Sequence, residues 1–184
     1  LPPVVVDRLK SLALHHLVMS MEGVGTPSGK AVVELVKTEE GQQDGATILV
    51  DGSRATRVGA AFASSQLMHV GVHGDSYLML SHPGGHVVSA ALATAELSGA
   101  SGADLLVGLA AGYETHVRIA GDFVPSSQAR GFRASPAFGI FGAALATGKL
   151  LGLTEDQLVA TIALAATFAG GALEGARVGG QETQ

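Results

Sequence analysis

Residues 134–166 read ASPAFGIFGAALATGKLLGLTEDQLVATIALAA, and this stretch decides the fold. Ser135-Pro136 opens a run with no charge before Lys149, in which Gly139, Gly142 and Gly148 supply small contact points. The spacing predicts a buried helix over Pro136–Leu151. Thr154-Glu155-Asp156-Gln157 then has the form of a capping box, in which a hydroxyl and the side chain three residues on satisfy each other's backbone N–H. It predicts a last long helix whose apolar run starts at Leu158. The uncharged stretches Ala134–Gly148 and Leu158–Leu173 fall short of the roughly 20 apolar residues a membrane span needs. Buried helices are therefore expected, packed at small-residue crossings.

The same pattern extends toward the N-terminus. Pro3–Met21 carries apolar residues at helical spacing (Val5, Val6, Leu9, Leu12, Ala13, Leu17), with prolines where a helix start tolerates them and Gly23 and Gly25 at its end. Lys30–Lys37 reads as a short second helix and Glu39–Gly45 as a polar connection. Ala46–Val50 reads as a short extended piece closed by Asp51-Gly52. Ala60–His69 and Val87–Leu97 are Ala-rich helices. Ser101 and Asp104 form a second capping-box pattern, opening a helix to about Ile119. Two irregular segments interrupt the helices: Gly71–Gly85, loop-like, and Gly121–Ser135, polar.

Composition agrees with closely packed helices. Of 184 residues 47% are apolar and 15% charged; glycine numbers 26, alanine is more frequent still, and tryptophan is absent. Side chains so small make a core only when backbones approach closely. The expectation is one all-α domain over 1–184, a compact bundle of Ala/Gly-rich helices. The net charge of −5, without a basic run, argues against nucleic acid or an anionic membrane as partner. The lack of cysteine rules out disulfides and thiolate chemistry and is compatible with a cytosol-like compartment. The first residues, Leu-Pro-Pro-Val, have no Met and no signal-peptide pattern, and read as a fragment of a longer chain.

Chemistry-bearing residues crowd into one short stretch: His69, His73, Asp75, His82 and His86. Histidine changes protonation most easily near neutral pH and so serves as a proton donor or acceptor in a cleft. Asp75 can orient an imidazole or act as a base, and Ser76 offers a hydroxyl to a carboxylate. Pro83-Gly84-Gly85 leads into a helix whose first N–H groups can accept an anion. A metal site is a weaker alternative: His69/His73 and His82/His86 are each four apart, with Asp75 to complete a set, but the intervening glycines and proline disfavour helix there. His15, His16 and His116 read as structural. Arg130 and Arg133 flank Gly131-Phe132; a guanidinium fork matches a carboxylate, although from these residues alone a solvated basic turn is the better explanation of the pair.

Six segments, in order, carry a family resemblance: LPPVVVDRLKSLALHHLVMSMEG (1–23), AAFASSQLMHV (60–70), GDSYLMLSHPGGHVVSAALATAE (74–96), GASGADLLVGLAAGYE (99–114), RGFRASPAFGIFGAALATGKLLGL (130–153) and TEDQLVATIALAA (154–166). Together they resemble the N-terminal helical domain of MmgE/PrpD proteins, which include 2-methylcitrate dehydratase and cis-aconitate decarboxylase. The resemblance implies a helical domain that pairs with a smaller α/β lid domain absent from this chain. It also implies homodimers through the helical domain, and chemistry that needs no metal or other cofactor. By position, His82 matches the family's His-Pro active-site histidine, Ser76 its hydroxyl residue, Asp75 the last acid of an acidic run, and His69 the histidine before that run. Val72 and Gly74 stand where two further acids are expected, and Arg133 where a second histidine is common.

The function these readings imply is a lyase or isomerase acting on a small di- or tricarboxylic acid through proton transfer next to a carboxylate. His82 would be the acid/base and Asp75 its catalytic partner, with Ser76, His69 and Arg133 holding the substrate. The alternative is a diverged homologue, impaired in catalysis, that serves as a dimeric or ligand-binding scaffold.

Overall fold

Pro2 and Pro3 start helix α1 (Pro3–Gly23), which has no side-chain cap; Pro3 in the first turn has a fixed φ suited to the helix and no N–H of its own to satisfy. The computed structural model describes residues 1–70, 74–78 and 81–177. Thr26 caps α2 (Pro27–Glu40), its Oγ1 accepting from Gly29 N, with Pro27 in the first turn; the helix therefore runs further both ways than Lys30–Lys37. The extended piece lies earlier than expected. Strand β1 is Gly41–Thr47, pairing antiparallel with the two-residue strand β2 (Arg54–Ala55). Tertiary partners explain the shift: Arg54 Nη1 donates to Gly45 O at 2.7 Å, and Glu96 accepts from Thr47 N and Oγ1 at 2.8 and 2.7 Å. The apolar Ile48 instead packs, fully buried, just beyond the strand.

Thr56 caps α3 (Arg57–His69), and α4 (Gly84–Ser98) begins at the glycine pair itself, three residues before Val87. α4 packs on α1, α3, α5 (Gly102–Gly121) and α7 (Ala134–Leu150). Both expected capping boxes form, Ser101 with Asp104 at α5 and Thr154 with Gln157 at α8 (Glu155–Phe168). The segment expected to be irregular, 121–135, contains a short helix, α6 (Val124–Ala129), started by Pro125 in its first turn. The last described turn is α9 (Glu174–Arg177).

The protein is thus a helical bundle with one small sheet at its side. Its centre is Leu9, Met68, Val87, Val88, Ala91, Leu109 and Ala146, drawn from five helices. Small residues permit that convergence. A Cβ on Gly142 would stand 2.9 Å from Gly112 O and 2.8 Å from Val87 Cγ2, so α5 and α7 touch backbone to backbone. Among the described residues no helix is long and apolar enough to cross a membrane.

Candidate active site

Two helix starts meet beside a cleft. The N-terminus of α4 follows Ser81-His82-Pro83, and that of α7 follows Arg133. They are tied together by the His82 N–H, which donates to Ser135 Oγ at 3.0 Å. A strand-like contact behind them, Arg133 N to Gly171 O at 2.9 Å and Leu173 N to Gly131 O at 2.8 Å, brings residues 171 and 172 alongside. The result is a cleft of about 310 Å³ walled by Ser65, Gln66, His69, His86, Arg133, Ser135, Pro136, Gly171 and Ala172.

His69 ends α3, where its Nδ1 lies 2.8 Å from Ser65 O. A carbonyl only accepts, so Nδ1 carries the proton and Nε2 presents a lone pair. That Nε2 is buried with no protein partner among the described residues. Burial lowers the His69 pKa, and the Arg133 charge acts in the same direction against the Ser65 carbonyl, so the ring is neutral. His86 meets it edge to face, ring centroids 4.7 Å apart, and is pushed down to about 3 by burial, with His69, His116 and Arg133 adding to the effect. The cleft therefore combines a guanidinium with two uncharged imidazoles, at the uncapped start of α7, where the helix dipole favours an anion.

His82 is half-buried at the edge of this wall. Its Nδ1 donates to the backbone carbonyl of Asp75 at 2.8 Å, which again leaves the lone pair on Nε2. Before it, Ser81 is fully buried, its Oγ 2.7 Å from His116 Nε2; burial holds His116 down to about 4. A short antiparallel bridge between Tyr77 and Ser81 closes the loop.

The structure places Asp75 away from the cleft walls. Its carboxylate Oδ1 accepts from Gly84 N at 2.9 Å and lies 3.4 Å from His16 Nε2, with the Tyr113 hydroxyl also close by. Burial would raise the Asp75 pKa, but His16, Tyr113 and the Gly84 N–H together hold it below the usual carboxylate range. Burial likewise opposes charge on His16, and Asp75 outweighs it, so the His16 pKa is raised. The N-terminus of α4, expected to be open to an anion, is thus already occupied by the protein's own carboxylate. Ser76 is exposed and outside the cleft walls; Gly74 has open space around it. Val72 and His73 lie outside the described residues.

Of the residues singled out in sequence, His69, His86 and Arg133 share the cleft, His82 adjoins them, and Asp75 supports His82 from behind. Among the described residues no group of three or more His, Cys, Asp or Glu side chains is arranged to hold a metal ion. His16 and Tyr113 were not expected here. A signal for His16 exists in the sequence: it continues the buried stripe of α1 through Leu9 and Met19, whereas His15 faces out. Ser135 lacked any signal, because its role comes from the meeting of two distant helix starts.

Glycines seat these rings. A Cβ on Gly84 would overlap the His16 ring, one on Gly85 the His69 ring, and one on Gly139 would stand 2.6 Å from His86 Cγ.

An all-helical domain thus brings neutral imidazoles and a guanidinium around one cleft. The chain belongs to the MmgE/PrpD family, whose N-terminal domain matches residues 1–182. It is 28% identical over 181 residues to the cis-aconitate decarboxylase-like protein oryM of Aspergillus oryzae, an alignment taking in 93% of this chain and 37% of that protein. The chain therefore spans a little over a third of that relative's length.

Proposed function

We propose that the protein carrying this chain is a dehydratase- or decarboxylase-type lyase, or a related isomerase, acting on a small di- or tricarboxylic acid, with the cleft between α3, α4 and α7 holding the substrate. One observation carries the reading: Arg133 shares a cleft with His69, a neutral imidazole whose Nε2 has no partner among the described residues. Arg133 and the start of α7 take a carboxylate, as a fork-shaped cation and a helix N-terminus do. His82, with Nδ1 committed to Asp75 O, exchanges the proton on the carbon next to that carboxylate through Nε2. The enolate-like charge that develops is stabilised by the same cation and N–H groups. Membership of the family and the decarboxylase-like relative support this class of chemistry.

The test is turnover of a panel of small polycarboxylates by the full-length protein, wild type against His82→Ala. Loss of a general acid/base is expected to cost about 10²–10⁴-fold in kcat. Equal rates in the two proteins would remove His82 from the mechanism. A wild type that binds polycarboxylates but turns none over is the result expected of the scaffold alternative.

A further inference from the structure

We infer that His16 on α1 is a positioning residue for His82, acting through Asp75. The inference rests on the reading of His82 as the acid/base above. The geometry has three links. The His16 Nε2 stands 3.4 Å from Asp75 Oδ1, the Gly84 N–H binds the same oxygen at 2.9 Å, and the main-chain carbonyl of Asp75 receives His82 Nδ1–H at 2.8 Å. One residue thus uses its side chain to be held and its backbone to hold. The carbonyl decides which nitrogen of His82 carries the proton, because only the Nδ1–H tautomer satisfies it.

His16 is built into this place. It is 1% exposed, its Nδ1 is bonded to Leu12 O at 2.9 Å, and the Cε1–Nε2 side of its ring abuts Gly84, where any Cβ would overlap it. With Nδ1 on a carbonyl, Nε2 can donate to Asp75 only when the ring carries both protons, the charged form that the neighbouring carboxylate favours. The Tyr113 hydroxyl, which would stand 2.7 Å from a Cβ on Gly84, also lies close to the carboxylate. Without His16, Asp75 would keep a buried carboxylate with fewer partners, and the segment that carries its carbonyl would lose its anchor to α1. A largely buried charge that loses one of its partners is disfavoured, so the segment would move.

The experiment compares wild-type full-length protein with His16→Phe, which keeps a ring on Gly84 but lacks Nε2, and His16→Gln, whose amide N–H can face Asp75 in place of Nε2. Two quantities are read: kcat and KM on the active polycarboxylate, and the His82 tautomer from nitrogen-15 imidazole spectra. In His16→Phe the His82 signals are expected to shift from pure Nδ1–H toward a tautomer mixture. The kcat should fall on the order of a hundredfold, the size of effect that misplacing a catalytic group produces, while KM holds. His16→Gln should restore the tautomer and most of kcat. Should His16→Phe fail to fold, the Gln variant decides: a wild-type tautomer supports the inference and a mixture overturns it. A wild-type tautomer and rate in His16→Phe also overturn it. Activity surviving in His82→Ala would instead remove the acid/base reading, while the spectra would still decide whether His16 sets the His82 tautomer.

Discussion

An imidazole pressed on a glycine is the recurring contact around the cleft: His16 on Gly84, His69 on Gly85, His86 on Gly139. Each pairing lets a ring lie against helix backbone, which limits its contact with solvent. That burial lowers the pKa of His69 and His86 and keeps both neutral at ordinary pH. Gly139→Ala is expected to destabilise by about 1–3 kcal/mol, because the new methyl meets a ring that is itself enclosed. Urea unfolding would register this as a lower midpoint; an unchanged midpoint would mean that His86 has room to move. At this scale the sequence made the histidine cluster visible, but not which members would converge. His69 and His86 were legible by proximity, Arg133 by the family pattern. His16 was passed over because a lone histidine on an amphipathic helix has an ordinary explanation, and its partner lies nearly sixty residues away.

At the scale of elements, what was legible were features with local causes. The capping boxes of α5 and α8 formed as read, since their partners are three residues apart. Thr154→Ala should cost about 1 kcal/mol through loss of the Gln157 N–H acceptor. It would appear as a modest drop in melting temperature, and no drop at all would show that α8 contributes little to the cooperative unit. What escaped had distant causes. β1 sits on polar, Gly-containing sequence because β2, Arg54 and Glu96 supply its partners, not because its residues favour strand. α6 was hidden in a polar stretch because so short a helix leaves no periodicity to read. The start of α4 at Gly84 was masked by the low helix propensity of glycine, overridden here by the Asp75 carboxylate at its N-terminus.

For the molecule as a whole, buried histidines set the response to acid. His69, His86 and His116 have folded-state pKa values below the ordinary value, so the unfolded chain binds more protons than the folded one once the pH drops below about 6.5. Their contribution to stability is present above that pH and is lost as pH falls toward 4. His16 has the opposite sign, but it is protonated in both states near pH 5, and Asp75 is ionised in both, so neither offsets the loss there. With ~2–3 extra protons taken up on unfolding, stability should fall by roughly 3–4 kcal/mol per pH unit around pH 5. Calorimetry in buffers of different ionisation enthalpy would count those protons, and an uptake near zero would mean that the three rings are charged in the fold. The all-helical architecture behind this was legible throughout, because glycine and alanine in such number leave close helix packing as the way to form a core.

Arg133 and its neighbouring imidazoles are proposed to hold a substrate carboxylate. Titration calorimetry of small tricarboxylates into full-length protein, wild type against Arg133→Gln, tests it most directly. Loss of a charge-assisted pair worth about 1.5–3 kcal/mol predicts binding weaker by roughly ten- to a hundredfold in the variant, with the fold intact. Equal affinity in the two proteins would contradict the account.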